Sequence, residues 1–203
     1  HGIPVLEDDP YGELRYRGEA LPTLFSMAGE GVLFASSFSK ILAPGTRVAW
    51  AVGDPELIRK MVIAKQGMDL CTSVVAQVLI TEYCHRGFLD AHLPKIRAHY
   101  AAKAAAMSRA LWQDLPQGTA SWVDPEGGFF FWLRLAGQDT REVFARAVEQ
   151  GVAFLPGAAF FPEPDETVGP WVDGSSYARL CFTFATGEEI GEGSRRLARA
   201  LAG

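Results

Sequence analysis

Two short apolar runs with a polar loop between them set the frame for this chain. Val32-Leu33-Phe34-Ala35 stops at Ser36-Ser37, passes Phe38-Ser39-Lys40, turns through Pro44-Gly45, and turns apolar again from Val48 to Val52. Short runs rich in β-branched and aromatic residues read as strands, so the loop lies at a strand end. It carries the amine of Lys40, the hydroxyls of Ser36, Ser37 and Ser39, and the guanidinium of Arg47. Ligands of open α/β sheets bind at strand ends. Hydroxyls beside an arginine suit a phosphate dianion, because the guanidinium offers a planar fork of donors. A lysine in that company is a candidate for imine chemistry with a carbonyl compound. The alternative at this point is a turn with a solvated lysine and a structural arginine.

A second stretch has the same form. Ile3-Pro4-Val5-Leu6 ends in Glu7-Asp8-Asp9-Pro10-Tyr11. Strand residues alternate faces, so Asp8 and Asp9 cannot both point at one ligand. Read alone, the stretch could be an acidic β-turn with a surface tyrosine. Together the stretches contain Asp-x-x-Tyr (Asp8, Tyr11), Ser-x-Ser-Lys (Ser37, Ser39, Lys40) and Pro-Gly-x-Arg (Pro44, Gly45, Arg47) in that order. This resembles the class I/II aminotransferases among the fold-type I enzymes that use pyridoxal 5′-phosphate. It is most similar to the aminoadipate and kynurenine aminotransferases and to the aminotransferase-like domains of some bacterial regulators.

The resemblance covers essentially the whole chain and implies roles for named residues. Lys40 would form the internal aldimine with the cofactor and then carry the proton between the substrate α-carbon and the cofactor. Asp8 would keep the ring nitrogen protonated, and Tyr11 would donate to the ring hydroxyl oxygen. Ser37, Ser39 and Arg47 would hold the phosphate. Arg179, in Arg179-Leu180-Cys181-Phe182, resembles the family's Arg-Leu-x-Phe, where the arginine binds the substrate α-carboxylate. A salt-bridged arginine within a strand is the alternative there. Tyr16, Arg17 and Phe160 could line the side-chain pocket, but no spacing selects them.

The implied reaction moves an amino group between an amino acid and a 2-oxo acid, 2-oxoglutarate being the expected acceptor, in a homodimer. A ligand-sensing domain of a transcription regulator and a lyase of the same fold are the other readings. The implied fold is α/β. Residues 1–87 would be the C-terminal part of a large cofactor-binding domain with a mainly parallel sheet. Residues 88–203 would be a long linking helix and a small α+β domain. Such relatives carry about as much chain again upstream, so the sequence reads as a C-terminal half.

Composition narrows the classes further. A net charge of −5 gives no reason to expect nucleic-acid or membrane binding. No apolar run approaches the ~18 residues of a membrane span. Cys71, Cys84 and Cys181 are odd in number and read as reduced core thiols of a cytosolic protein. No metal-ligand spacing occurs among them. His85, His92 and His99 share a heptad spacing, but Gly87 and Pro94 interrupt it, so they read as a solvated face.

Periodicity places the other elements. Strands are expected at 3–8, 32–36 and 47–53, buried on both faces. Asp54-Pro55 opens a helix as N-cap and first residue, and a second helix starts near Ser73. Phe88 to Leu115 is the longest helical signal, with Pro94 as a start or kink. Phe129-Phe130-Phe131-Trp132 reads as core strand, Thr140 as a helix cap, and 152–155 and 178–184 as strands. Residues 162–177 read as a loop, and Glu188 to Leu201 as the last helix. Lys60, Lys65, Lys95 and Lys103 read as solvated.

Overall fold

A computed structural model describes residues 2–28, 30–162 and 173–203. The fold is α/β, and the chain divides into two compact units, 1–98 and 99–203.

The first unit is built on a three-stranded sheet in the order β1 (Val5–Asp8), β2 (Val32–Ser37), β3 (Ala49–Val52). β1 and β2 run parallel, with Asp8 opposite Ala35; β2 and β3 run antiparallel, with Ser37 opposite Ala49. A mainly parallel sheet was the expectation, and here one junction of the two is antiparallel. The connection explains it: residues 38–48 return the chain directly, whereas a parallel partner needs a crossover of a dozen or more residues.

α1 (Leu24–Ala28) lies between β1 and β2, where the periodicity predicts no helix. The carboxylate of Glu7 accepts from the N–H groups of Leu24 at 2.8 Å and Phe25 at 2.9 Å, and Thr23 Oγ1 accepts from Ser26 at 3.0 Å. These acceptors satisfy N–H groups that a helix start leaves open. α2 (Pro55–Met68) starts as expected, with the Asp54 side chain accepting from Glu56 and Leu57. α3 (Val74–His85) is capped by Ser73.

The expectation of a sheet buried on both faces does not hold for this unit. Val5 is 40% exposed and Leu6 65%. Val74, Val75, Val78 and Leu79 on α3 are also exposed. The core here is small: Leu14, Val32, Ile41, Val48, Ile80 and Leu93 are buried. Cys71 is exposed and Cys84 only partly buried, and in the second unit Cys181 is exposed, so the thiols are not core residues.

α4 (Phe88–Asp114) runs through Pro94 without a break, and the division between the units falls inside it. The proline removes one N–H, so a single intrahelical bond is forgone. His85 belongs to α3, and His92 and His99 belong to α4. Among the described residues no helix is long and apolar enough to cross a membrane.

The second unit holds a four-stranded antiparallel sheet ordered β4 (Ala120–Trp122), β5 (Phe130–Leu135), β7 (Tyr177–Cys181), β6 (Leu155–Pro156). β6 and β7 are shorter than expected, and of the expected loop, 163–172 lie outside the described residues. α5 (Thr140–Glu149) and α6 (Gly187–Leu201) bury Val143, Ala147, Ile190 and Leu197. The α5 cap is Asp139, not Thr140: Asp139 accepts from Arg141 at 2.8 Å. Thr140 is buried and donates to the Ser175 carbonyl at 2.7 Å. Lys103 is not simply solvated, because its Nζ donates to the Thr183 carbonyl at 2.6 Å.

On α6, Glu192 accepts from Arg196 at 2.8 Å and from Arg195 at 3.1 and 3.0 Å. The hydrogen bond from Arg196, then that from Arg195, lowers its carboxyl from 4.5 to about 2. A carboxyl lowered in the folded state lends stability that is present above its ordinary value and fades as the pH falls. The melting temperature of wild type should therefore exceed that of Glu192→Gln above pH 4.5 and converge with it towards about pH 2. The gap should be small, because water screens exposed pairs. A gap that widens on acidification would contradict this.

Candidate functional site

β1 and β2 end side by side, and their ends carry most of the residues singled out from the sequence. Side chains of registered partners share a face. Asp8, Ala35, Ser37 and Ala49 therefore lie on one face, and Glu7, Phe34, Ser36 and Trp50 on the other. Three adjacent carboxylates are thereby told apart. Glu7 holds the start of α1. Asp9 accepts from the Gly12 N–H at 2.6 Å and fixes the turn after the strand. Asp8 is exposed on the Ser37 face, and among the described residues its carboxylate takes no hydrogen bond or ion pair.

The loop after β2 is pinned at its base. The Phe38 N–H donates to the Val48 carbonyl at 3.1 Å, and Leu42 and Ala43 donate to the Phe38 carbonyl at 2.9 and 3.1 Å. The Phe38 ring sits 4.8 Å from that of Trp50. Within this frame the Ser39 N–H donates to Ser37 Oγ at 3.2 Å. Lys40 is exposed, and its Nζ lies 6.0 Å from the centre of the Tyr11 ring. Arg47 is exposed, with left-handed backbone (φ 54°). Its Nη1 donates to the Pro44 carbonyl at 3.1 Å. Left-handed backbone costs a non-glycine residue roughly 1–2 kcal/mol and persists where the surroundings impose it.

Asp8, Tyr11, Ser37, Ser39, Lys40 and Arg47 thus all belong to the first unit, and Arg179 belongs to the second. A cavity of about 360 Å³ in the first unit is lined by Phe34, Ser36 and Trp50, on the opposite face of the sheet from Asp8 and Ser37. Asp8 and Ser37 share one face of the sheet, and the loop that follows adds the Ser39 hydroxyl, the Lys40 amine and the Arg47 guanidinium; hydroxyls with a guanidinium suit a phosphate.

In the second unit, alternation along β5 and β7 separates two faces. Phe131, Leu133, Leu135, Ala178 and Leu180 are buried. Phe130, Trp132, Tyr177 and Arg179 point to the other side, Trp132 being directly opposite Arg179. The Phe130-Phe131-Trp132 run is therefore not all core, as the sequence reading had it. An arginine within an apolar strand is tolerated here because it faces away from the core. The Arg179 Cζ lies over Phe130 at 4.2 Å and over Phe160 at 4.6 Å. The missed signal was the two-residue period itself, which sets Phe130 and Trp132 apart from Phe131, Leu133 and Leu135.

Phe160 ends the 3-10 turn Gly157–Phe160, which is seated tightly on β7. A Cβ on Gly157 would lie 2.6 Å from the carbonyl oxygens of both Gly174 and Tyr177 and would also meet Tyr177 Cβ. Gly157→Ala should lower unfolding stability by about 1–3 kcal/mol, the usual cost of overpacking. Denaturant unfolding checks this, and an unchanged midpoint would show that the turn can shift freely.

The family model described as "Aminotransferase class I and II" matches residues 1–192. The aromatic-amino-acid aminotransferase 1 of Thermococcus litoralis is 43% identical over 199 residues, covering 97% of this chain and 46% of that protein. The kynurenine aminotransferase of Pyrococcus horikoshii, solved in complex with PMP, superposes with a TM-score of 0.90 at 43% identity, over 98% of this chain and 48% of that one. The alpha-aminoadipate aminotransferase of Thermus thermophilus, solved with N-(5′-phosphopyridoxyl)-L-leucine, gives 0.89 at 41%, over 99% and 50%. The chain spans about half the length of these relatives.

Proposed function

Because the chain belongs to the class I and II aminotransferases, we propose that it serves a pyridoxal 5′-phosphate-dependent transfer of an amino group from an amino acid to a 2-oxo acid, with 2-oxoglutarate as acceptor. The observation that carries this reading is one constellation. An uncommitted carboxylate ends one of two parallel strands, and the other runs into a pinned loop that carries hydroxyls, an amine and a guanidinium.

The residues present fit the cofactor. Asp8 shares the Ser37 face, while Glu7 and Asp9 are committed to the backbone. When bound, pyridoxal phosphate supplies an electron sink for the α-carbon of the amino acid. Lys40 Nζ would take the cofactor's aldehyde carbon, and later accept the proton that leaves the substrate α-carbon. The Asp8 carboxylate would hold a proton on the ring nitrogen through opposite charge. The Tyr11 hydroxyl would donate to the ring oxygen. Ser37, Ser39 and Arg47 would hold the phosphate, the guanidinium as a fork. Arg179 grips the α-carboxylate that every amino-acid donor and 2-oxo-acid acceptor presents. Such a clamp orients the bond to be broken. Homodimerisation belongs to the same proposal, by likeness to the family.

The relatives' names set the donors to try: 2-aminoadipate, kynurenine and an aromatic amino acid. The intact protein, loaded with pyridoxal phosphate, should convert 2-oxoglutarate to glutamate with at least one of them. Cofactor binding without transfer from any donor would overturn the enzyme reading in favour of a sensing role.

A further inference from the structure

Resting on the assignment of Arg179 to the substrate carboxylate, we infer that Phe160, together with Phe130, is a positioning residue that holds the Arg179 guanidinium for that carboxylate. The Cζ of Arg179 lies 4.2 Å from the Phe130 ring centre and 4.6 Å from that of Phe160. Both distances fall inside the ~6 Å range of cation–π attraction. Among the described residues, Arg179 has no carboxylate partner, and its guanidinium lies over these two rings.

The rings are themselves braced. Phe160 meets Trp132 edge-on at 5.4 Å, and Trp132 stacks on Tyr177 at 5.5 Å with planes 15° apart. Phe161 stacks on Tyr177 at 5.8 Å. The brace ends in β7, which also carries Arg179, and in the 3-10 turn that Gly157 lets sit against that strand. Phe160 is 43% exposed, so burial of its own surface is not its main contribution.

Arginine has a long, rotamer-rich side chain, and a bidentate grip needs its N–H edges in the plane of the carboxylate. A ring that occupies the face of a guanidinium leaves those edges available. It also restricts the rotamers in advance, so less freedom is lost when the carboxylate binds. A residue that only filled space would be replaceable by leucine; a residue that works through its ring would not.

The test uses the intact, cofactor-loaded protein with Phe160→Leu, Phe160→Tyr, Phe130→Leu and Arg179→Ala. Phe160→Leu should raise KM for amino donor and 2-oxo-acid acceptor alike, by about three- to tenfold, with kcat changing less. Phe130→Leu should act in the same direction, and Phe160→Tyr should restore KM to near wild type. Calorimetric Kd for a non-reacting carboxylate should rise in step, which gives a readout independent of turnover. If Arg179→Ala raises KM and Kd but Phe160→Leu and Phe130→Leu do not, the positioning role is wrong while the carboxylate assignment stands. A Phe160→Tyr variant as impaired as Phe160→Leu would also overturn it. If Arg179→Ala itself leaves KM and Kd unchanged, the assignment beneath it fails, and this inference with it.

Discussion

Replacing Lys40 by alanine should lower the kcat for amino transfer by about four orders of magnitude or more. A positioned acid–base group alone contributes typically about 10²–10⁴-fold, and Lys40 is proposed to supply a covalent attachment as well. Two of the other lysines are already committed. Lys65 is tied to Asp69 at 2.8 Å, and the Lys103 amine donates to a backbone carbonyl in the other unit. Lys40→Arg keeps the positive charge but cannot present a neutral amine, because a guanidinium does not deprotonate in proteins. The arginine variant should therefore be nearly as inactive as the alanine one. That comparison separates an amine from a mere cation. Stability should hardly change, since Lys40 is exposed and its loop is pinned through Phe38. If Lys40→Arg retained substantial transfer, Lys40 would be a phosphate counter-charge and the amine would lie elsewhere.

The second large effect concerns stability and contrasts two neighbours. Phe131 is 1% exposed and meets the buried Phe182 ring edge-on at 5.9 Å. Truncating it leaves a cavity among residues that cannot fully close, so Phe131→Ala should cost about 3–5 kcal/mol. Phe130, one residue earlier, lies on the opposite face beside Arg179. Phe130→Ala should cost clearly less stability and should weaken carboxylate binding instead. Chemical denaturation and carboxylate titration of both variants check this. Equal stability losses would mean that the alternation of β5 is not the organising feature of this sheet.

The same pair shows where the sequence was legible. The strands β1, β2 and β3 could be placed because apolar runs stop at turn-forming and polar residues. The set Asp8, Tyr11, Ser37, Ser39, Lys40 and Arg47 could be picked out because its order resembles a family pattern; residue chemistry alone left a solvated turn open at each stretch. Alternation showed that Asp8 and Asp9 cannot face one ligand together, the choice of Asp8 rested on the resemblance, and Glu7 could not be assigned. Its partners are the N–H groups of Leu24 and Phe25, far along the chain. No local pattern carries that contact, and α1 went unseen for the same reason.

Elsewhere hydrophobicity misled. Phe130 and Trp132 are as apolar as Phe131, yet they lie on the face of the sheet that carries Arg179. The antiparallel pairing of β2 with β3 is fixed by connection length rather than by strand composition. Asp139 and Thr140 both favour helix starts, and only the bond from Thr140 to the Ser175 carbonyl decides that Asp139 is the cap. Val5, Leu6 and the α3 valines look like core residues by type. Their exposure depends on what packs against them, and composition does not encode that.

The central claim is that one amine, that of Lys40, takes the cofactor. Loading the intact protein with pyridoxal 5′-phosphate, reducing with borohydride and mapping the peptides by mass spectrometry tests it most directly. The account predicts the phosphopyridoxyl mass on the peptide containing Lys40, and its loss in Lys40→Ala. A label on another lysine, or no label at all, would contradict it.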